Sequence, residues 1–477
     1  MSVELGYTPL AQIPEIHSRL LSTFKSGITR PLAYRRKQLL QLARLVQENV
    51  TAIEDAELHD LGKPRQEVVM VELGTIVQAC LYAAERLEEW NKPEKPTVEE
   101  WRSSWDTTVY KEPKGVALII SPWNYPIVLA LDPLVGAIAA GCPVVLKPSE
   151  ITPACSSVLI NLVQKYLDPA AYVVVNGSVN ETTALLNLRW DHIFFTGGTK
   201  IGKIVAAAAA KFVTPLTLEL GGKSPVIVDP ICDIELAAKR VLFGKIQNAG
   251  QLCVSPDYVL VPKSVAKEFK EALKKAYEQF WPSGNPLDTE YKWGKIVSVT
   301  HYKRITALLE RTKGRVILGG RTEGDRRIAP TVIEGVGIDD SLMEEENFGP
   351  VLPILEVENV DEAIRLVGSR PTPLVIYLFT DSEDTKQKVF EGTRSGTICM
   401  NDTISQLSVY EMPFGGQGDS GYGAYLGKGT FDVFTHRRSF IHVPKEIEPH
   451  LAFRYPPYTA DSYKVVLGSV NVKIPDA

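Results

Sequence analysis

From residue 116 to residue 212 the chain alternates short apolar runs with helix-like stretches, and this rhythm constrains the fold more than any other feature. Residues 116–120, 143–147, 171–176 and 192–195 are short and apolar, as buried strands are, whereas 132–140, 154–166 and 201–212 carry helical spacing. Strands that read as continuous apolar runs are covered on both faces, so the pattern predicts an open parallel sheet with helices on each side. A second block of the same kind opens with Val226-Ile227-Val228 and a helix near 234–245, and continues to about Asn401. At 477 residues the chain exceeds the size at which one core stops growing. Two α/β domains are therefore expected.

Residues 8–92 read as helices, with Ile16, Leu20 and Leu21, then Leu39, Leu42, Ala43 and Val46, at helical spacing. Pro93 and Pro96 end that pattern. From 101 to 120 the residues alternate, and Glu112-Pro113-Lys114-Gly115 reads as the turn of a β-hairpin. A hairpin so far from an obvious core suggests a subunit contact.

A net charge of −5 gives no electrostatic reason to expect nucleic acid or an anionic membrane as partner. The six cysteines form no CxxC pair and the seven histidines no HExxH, so neither a disulfide framework nor a metal site is expected. A reducing, cytoplasmic setting fits best. The N-terminus has no apolar core of a signal peptide. The most apolar stretch, 126–146, is interrupted by Asp132, Pro133 and Pro143, so a buried strand–helix segment is expected there rather than a membrane span. The short apolar run 465–472 near the C-terminus allows at most a weak peripheral membrane association.

Several motifs sit where the predicted strands end. Gln247-Asn248-Ala249-Gly250-Gln251-Leu252-Cys253 places a cysteine after a small-polar turn, and Leu218-Glu219-Leu220-Gly221-Gly222-Lys223 offers a carboxylate upstream of it. A thiolate nucleophile and a carboxylate base are what a two-step attack on a carbonyl requires. Most intracellular cysteines are merely small buried hydrophobes. Thr196-Gly197-Gly198-Thr199-Lys200-Ile201-Gly202 joins a strand to a helix through glycines that let a phosphate approach free N–H groups. It is not the GxGxxG fingerprint, and alone it reads equally as a plain tight turn. Lys147 and Glu150 follow a strand at the edge where α/β sheets bind ligands. Ser121-Pro122-Trp123-Asn124-Tyr125-Pro126 carries an asparagine able to donate to an oxyanion, or simply to cap a turn. Glu346-Asn347-Phe348-Gly349-Pro350 and the glycine-rich 413–423 complete the set.

In this order the motifs resemble the aldehyde dehydrogenase superfamily, over almost the whole chain up to about His442. Ser-Pro-Trp-Asn-Tyr-Pro, Gly421-Tyr422-Gly423-Ala424-Tyr425 and Arg454-Tyr455-Pro456-Pro457 are similar to its class-3 and fatty-aldehyde branch. The resemblance implies an α/β fold of two doubly wound parallel-sheet domains with a β-hairpin oligomerisation extension, in a homodimer. Residues 1–101 and 118–222 would bind the dinucleotide, 223–413 would be catalytic, 102–117 and 436–455 would bridge subunits, and 456–477 would form a tail. It further implies Cys253 as nucleophile, partly deprotonated, Glu219 as general base, and Asn124 with the Cys253 N–H as oxyanion hole. Trp123, Lys147, Glu150, Gly197, Gly198, Gly202, Glu346 and Phe348 would contact the cofactor. The implied reaction is oxidation of an apolar aliphatic, aromatic or apocarotenoid aldehyde to its acid through a thiohemiacetal and a thioester. NAD is the expected cofactor, with NADP accepted less well because Glu150 would repel a 2′-phosphate.

Three residues depart from the family's usual pattern: Leu252, Asn347 and Gln406. Leu252 would narrow the pocket, Asn347 would alter nicotinamide placement, and Gln406 would change the substrate mouth. Two other readings remain: a CoA-acylating dehydrogenase, disfavoured by Glu219, and a non-catalytic binding protein on the same fold.

Overall fold

The computed structural model describes residues 5–288 and 293–476. Its chain divides into two units, one of Met1–Trp90 with Pro113–Thr435 and one of Asn91–Glu112 with His436–Ala477.

The larger unit holds both expected sheets. In the first, the order across the sheet is Gly421–Tyr422, Leu216–Glu219, His192–Thr196, Ala117–Ile120, Val144–Lys147 and Tyr172–Val174. All its pairings are parallel except that of the two-residue edge strand Gly421–Tyr422. Ala117–Ile120, Val144–Lys147 and His192–Thr196 are buried along their whole length, as apolar runs without alternation require. The second sheet runs Thr397–Met400, Val375–Phe379, Pro225–Val228, Tyr258–Pro262, Val351–Val357, Thr331–Glu334 and Arg315–Leu318. Only its edge strand Arg315–Leu318 is antiparallel.

Register decides where chemistry can sit. Ile120 is level with both Lys147 and Phe195, and Thr196 is level with Glu219. The loops after these strands therefore emerge at one edge. The chain leaves Ala117–Ile120 for strands on one side and later returns to its other side, so the order reverses between Ala117–Ile120 and His192–Thr196. Open α/β sheets bind ligands at such a reversal.

The expected N-terminal helices form at Gln12–Ser26, Leu32–Gln47 and Val50–Leu61, followed by a continuous helical stretch to Asn91 that includes a π-helical segment, Val68–Leu73. The helix expected from 132 begins earlier, at Val128. Its two leading N–H groups, on Ile127 and Val128, donate to the Glu72 carboxylate at 2.9 and 3.0 Å, a cap that local sequence cannot reveal. The stretch 126–146 is thus a buried helix and strand. Among the described residues, Arg65–Asn91 is by length and composition alone the helix apolar enough to cross a membrane, yet Ile76, Cys80, Leu87 and Trp90 lie in the protein core.

The expected turn at 112–115 does not fold back into a local hairpin. In the smaller unit Asp106–Pro113 pairs instead with Thr435–His442, more than three hundred residues on. Ala117–Ile120 is recruited by the buried parallel sheet because Ala-Leu-Ile-Ile is apolar on both faces, whereas Asp106–Pro113 carries charge suited to an exposed ribbon. Arg437 pairs with Glu94, and Arg438 with Glu112 at 3.3 Å, along that ribbon. The tail forms a short helix, Ala460–Leu467, with Tyr463, Val465 and Val466 exposed.

Candidate active site

Two cavities meet at Cys253. The first, about 410 Å³, is lined by Trp123, Asn124, Gly197, Gly198, Glu219, Glu346 and Phe348 among others. The second, about 470 Å³, is also lined by Cys253, and Leu129 borders both.

The loop before the cysteine is unusual. Asn248, Ala249 and Gly250 have φ of 49°, 52° and 74° in succession. A left-handed residue other than glycine costs on the order of 1–3 kcal/mol and persists only where its surroundings over-determine it. Here the Asn248 amide donates to the Asn124 carbonyl at 2.7 Å and to the Gln251 carbonyl at 3.2 Å, and the Gln251 side chain returns a bond to the Asn248 carbonyl at 3.0 Å. Gly250 can only be glycine, since a Cβ there would lie 2.2 Å from the Gly349 carbonyl oxygen. Motifs a hundred residues apart are thereby locked together.

Asn124 is buried, and its amide donates to the Gln251 carbonyl at 3.1 Å, leaving its other N–H uncommitted. Glu219 is 3% exposed, and neither carboxyl oxygen has a hydrogen-bond partner among the described residues. Burial pushes its pKa well above the usual range. The Cys253 thiol, expected to be partly deprotonated, is instead pushed up to about 12, by burial first and then by the charges of Glu346 and Glu219. The N–H groups of Cys253 and Val254 act in the opposite sense. The thiol thus rests protonated and must give up its proton as it reacts. Glu346 is raised to about 8, chiefly by burial, with the Gly222 N–H pulling back.

Asn347 turns out to be a strut. Its backbone N–H and side-chain amide both donate to the Asp257 carboxylate, at 2.9 and 3.0 Å, and Arg304 donates to the carbonyls of Glu346 and Asn347 at 3.2 and 2.7 Å. Between these anchors Phe348 sits at φ 44° and meets Trp123 edge to face, 5.2 Å between ring centres. His301 packs on the other side of Trp123 at 5.0 Å. Neither His301 nor Arg304 belongs to a sequence motif. Their only signal was position on the helix Val299–Arg311, which says nothing of where that helix docks.

Three of the expected cofactor residues lie outside the first cavity's lining. Lys147 and Glu150 pair with each other at 2.7 Å. Gly202 lies within the helix Thr199–Ala210, where a Cβ would stand 2.8 Å from Leu220, so its lack of a side chain serves helix–strand packing. Gly198, by contrast, has open space where a Cβ would point, at the N-terminus of that helix. A helix N-terminus whose Gly198, Thr199 and Lys200 line the cavity suits a pyrophosphate, and the Lys147–Glu150 pair at the strand end suits a ribose, so these residues fit a nicotinamide dinucleotide.

The second cavity is apolar, with Tyr125, Phe243, Leu252, Tyr410 and Phe414 in its wall. Leu252 does take a place there. Gln406 does not, since it turns away to donate to the Tyr377 hydroxyl at 3.2 Å. Among the polar residues of that wall, Asp132 is a buried carboxyl: 3% exposed, its Oδ2 without a hydrogen-bond partner among the described residues, and pushed up to about 7 by burial.

The fold and site therefore define an α/β enzyme that joins a cavity of strand-end loops to a more apolar pocket across a cysteine. Residues 12–440 match the profile of the aldehyde dehydrogenase family. The chain is 39% identical to a 4,4′-diaponeurosporen-aldehyde dehydrogenase of Staphylococcus aureus, over 91% of this chain and 94% of that one. It is 40% identical to a dimeric NADP-preferring aldehyde dehydrogenase of Mus musculus, over 94% and 99% of the two chains. The solved substrate-bound structure of a Staphylococcus aureus AldH superposes with a TM-score of 0.92 at 37% identity, covering 96% of this chain and 99% of that one. The chain belongs to the aldehyde dehydrogenase family.

Proposed function

We propose that this protein oxidises apolar aldehydes to carboxylic acids with NAD or NADP, through a covalent adduct on Cys253. The observation that carries the reading is the position of Cys253 at the meeting of the two cavities, with the unpartnered Glu219 carboxyl beside it.

The aldehyde enters the apolar cavity and the Cys253 sulfur attacks its carbonyl carbon, losing its proton as the S–C bond forms. Glu346 and Glu219, whose charges act on the sulfur, are the nearby groups able to accept that proton. The free N–H of Asn124 and the Cys253 N–H stabilise the oxyanion. When bound, the dinucleotide supplies the hydride acceptor, and Cys253 is left carrying a thioester. Glu219 then takes a proton from water, the hydroxide adds to the thioester, and the acid leaves as the thiol is restored. A carboxyl buried without a partner favours hydrolysis over transfer to CoA, since it has no other evident task.

The wall of the second cavity favours long or aromatic apolar aldehydes, and the Staphylococcus aureus relative named for diaponeurosporen-aldehyde makes apocarotenoid aldehydes good candidates. A homodimer is the proposed assembly, by likeness to the dimeric mouse enzyme, with the Asp106–Pro113 and Thr435–His442 ribbon as subunit contact. The six cysteines are free, which accords with a cytoplasmic location. Assaying purified protein with alkanals of graded length, apocarotenals, NAD, NADP and CoA tests the reading. NADH or NADPH formation with free acid as product supports it; no turnover of any aldehyde, or acyl-CoA as product, overturns it.

A further inference from the structure

The left-handed loop before Cys253 has one more anchor, and it comes from a region no motif marked. The backbone N–H of Asn248 donates to the Glu67 carboxylate at 2.6 Å, and the Tyr125 hydroxyl approaches the same oxygen at 3.5 Å. Glu67 ends a short helical turn just before the π-helical segment Val68–Leu73. It belongs to a buried charged group. Lys63, fully enclosed, pairs with Glu57 at 3.2 Å and with Glu72, and its ammonium stands 3.9 Å above the Tyr125 ring. Glu72 in turn caps Ile127 and Val128. The group thus grips both loops of the candidate site: Glu72 and Tyr125 hold the one that carries Asn124, and Glu67 holds the one that leads to Cys253.

Asn248 completes the link. Its N–H goes to Glu67, its side-chain amide goes to the Asn124 carbonyl, and the Asn124 amide goes to the Gln251 carbonyl two residues before the sulfur. We propose that Glu67 is a positioning residue for the acylation half-reaction, holding the Asn248 turn so that Asn124 and Cys253 keep the spacing an oxyanion needs. This rests on the reading that Asn124 stabilises that oxyanion.

Burial of so many carboxyls around one lysine has a consequence in pH. Lys63, Glu72 and Tyr125 face Glu67, and burial raises its pKa to about 7, with Lys63, the Asn248 N–H and Tyr125 opposing the rise and Glu72 adding to it. As pH climbs through that value the contact with Asn248 changes from a neutral to a charge-assisted hydrogen bond, which is the stronger kind. A glutamine at the same place accepts from the same N–H through an oxygen that does not titrate.

The test is the pre-steady-state burst of NADH in the full-length protein, with cofactor affinity and Tm measured beside it. Glu67→Leu should slow the burst by about tenfold or more while cofactor Kd moves less than about twofold. Glu67→Gln should recover most of that rate but flatten the wild-type rise between about pH 6 and 8. A burst in Glu67→Leu within twofold of wild type, or a Glu67→Gln profile parallel to the wild type, overturns the proposal. A purely structural role would instead lower Tm and burst amplitude with the rate and its pH profile intact. Asn124→Ala separates the premises. If it leaves the burst unchanged, the oxyanion reading itself fails; if it slows the burst and Glu67→Leu does not, only the role of Glu67 falls.

Discussion

The two cavities that share Cys253 are built on different principles. The first is made of loops at the ends of strands and held by named hydrogen bonds: Asn347 to Asp257, Arg304 to two carbonyls, Asn248 to Asn124. The second gathers side chains from helices and loops spread between Met70 and Leu426, and its wall is shaped mainly by apolar packing, with hydrogen bonds such as Tyr410 to the Thr75 carbonyl at 3.0 Å at its polar margin. Hydrogen-bonded loops demand particular residues at particular backbone angles, and so leave motifs in a sequence. Packed walls accept many residues of similar volume and leave none. On the proposed reading the first cavity fixes the chemistry, and the second selects what undergoes it.

The deepest test of that division is at the sulfur itself. Cys253→Ala should lower turnover by about 10⁴-fold or more while cofactor binding, followed by NADH fluorescence, stays within about twofold of wild type. Loss of both together would mean that the two cavities are not separable at this residue.

Glu219→Gln should divide the reaction in time. The first turnover survives, giving a burst of NADH, and the steady state falls by about 10²-fold because thioester breakdown loses its base. The raised pKa of Glu219 sets the sign of the wild-type pH profile: the deacylating carboxylate forms as pH rises, so steady-state rate should climb with pH and the Glu219→Gln rate should not. A variant with normal steady-state turnover and no burst removes Glu219 from this role.

The same contrast explains what could be read in advance. The strand rhythm exposed both sheets, and Cys253, Glu219, Asn124, Glu346 and Phe348 were singled out because each stands at a strand end or in a turn that the sequence marks, and the structure gathers all five around the first cavity. Gly202 looked like part of a phosphate loop but serves packing against Leu220. The pairing of Asp106–Pro113 with Thr435–His442 left no trace in local pattern, which suggested a local hairpin instead; only the resemblance grouped 102–117 with 436–455. His301, Arg304, Asp132 and Glu67 were missed for a related reason: each lies on a helix whose docking, not its sequence, brings it to the site.

Asp132 is a buried carboxyl in the wall of the second cavity, and changing it should move specificity rather than chemistry. Asp132→Leu should raise kcat/KM for long alkanals by about tenfold or less, with kcat for a short aldehyde little altered. Its effect on stability follows from the raised pKa. The wild type is penalised increasingly as pH rises from the unfolded carboxyl range through about 7, so the Tm advantage of Asp132→Leu should grow across that interval. An advantage independent of pH would mean that the carboxyl has a partner in solution.

The smallest expected effect lies beyond the first cavity's lining, at the strand end where the cofactor's ribose would rest. Sequence alone suggests that Glu150 repels a 2′-phosphate, yet in the structure its carboxylate is paired with Lys147 at 2.7 Å, and Lys147 is almost fully buried while Glu150 is partly open to solvent. An ion pair presents less net charge to an incoming phosphate than a lone carboxylate does, and water screens what remains. The discrimination against NADP should therefore be modest. Removing the charge in Glu150→Gln releases Lys147 to meet the phosphate, so kcat/KM for NADP should rise by a few-fold while that for NAD falls by a similar factor, as the ribose hydroxyls lose a charged acceptor. If the ratio of the two cofactors stays put, neither residue reads the 2′-position, and the preference is set elsewhere along the groove.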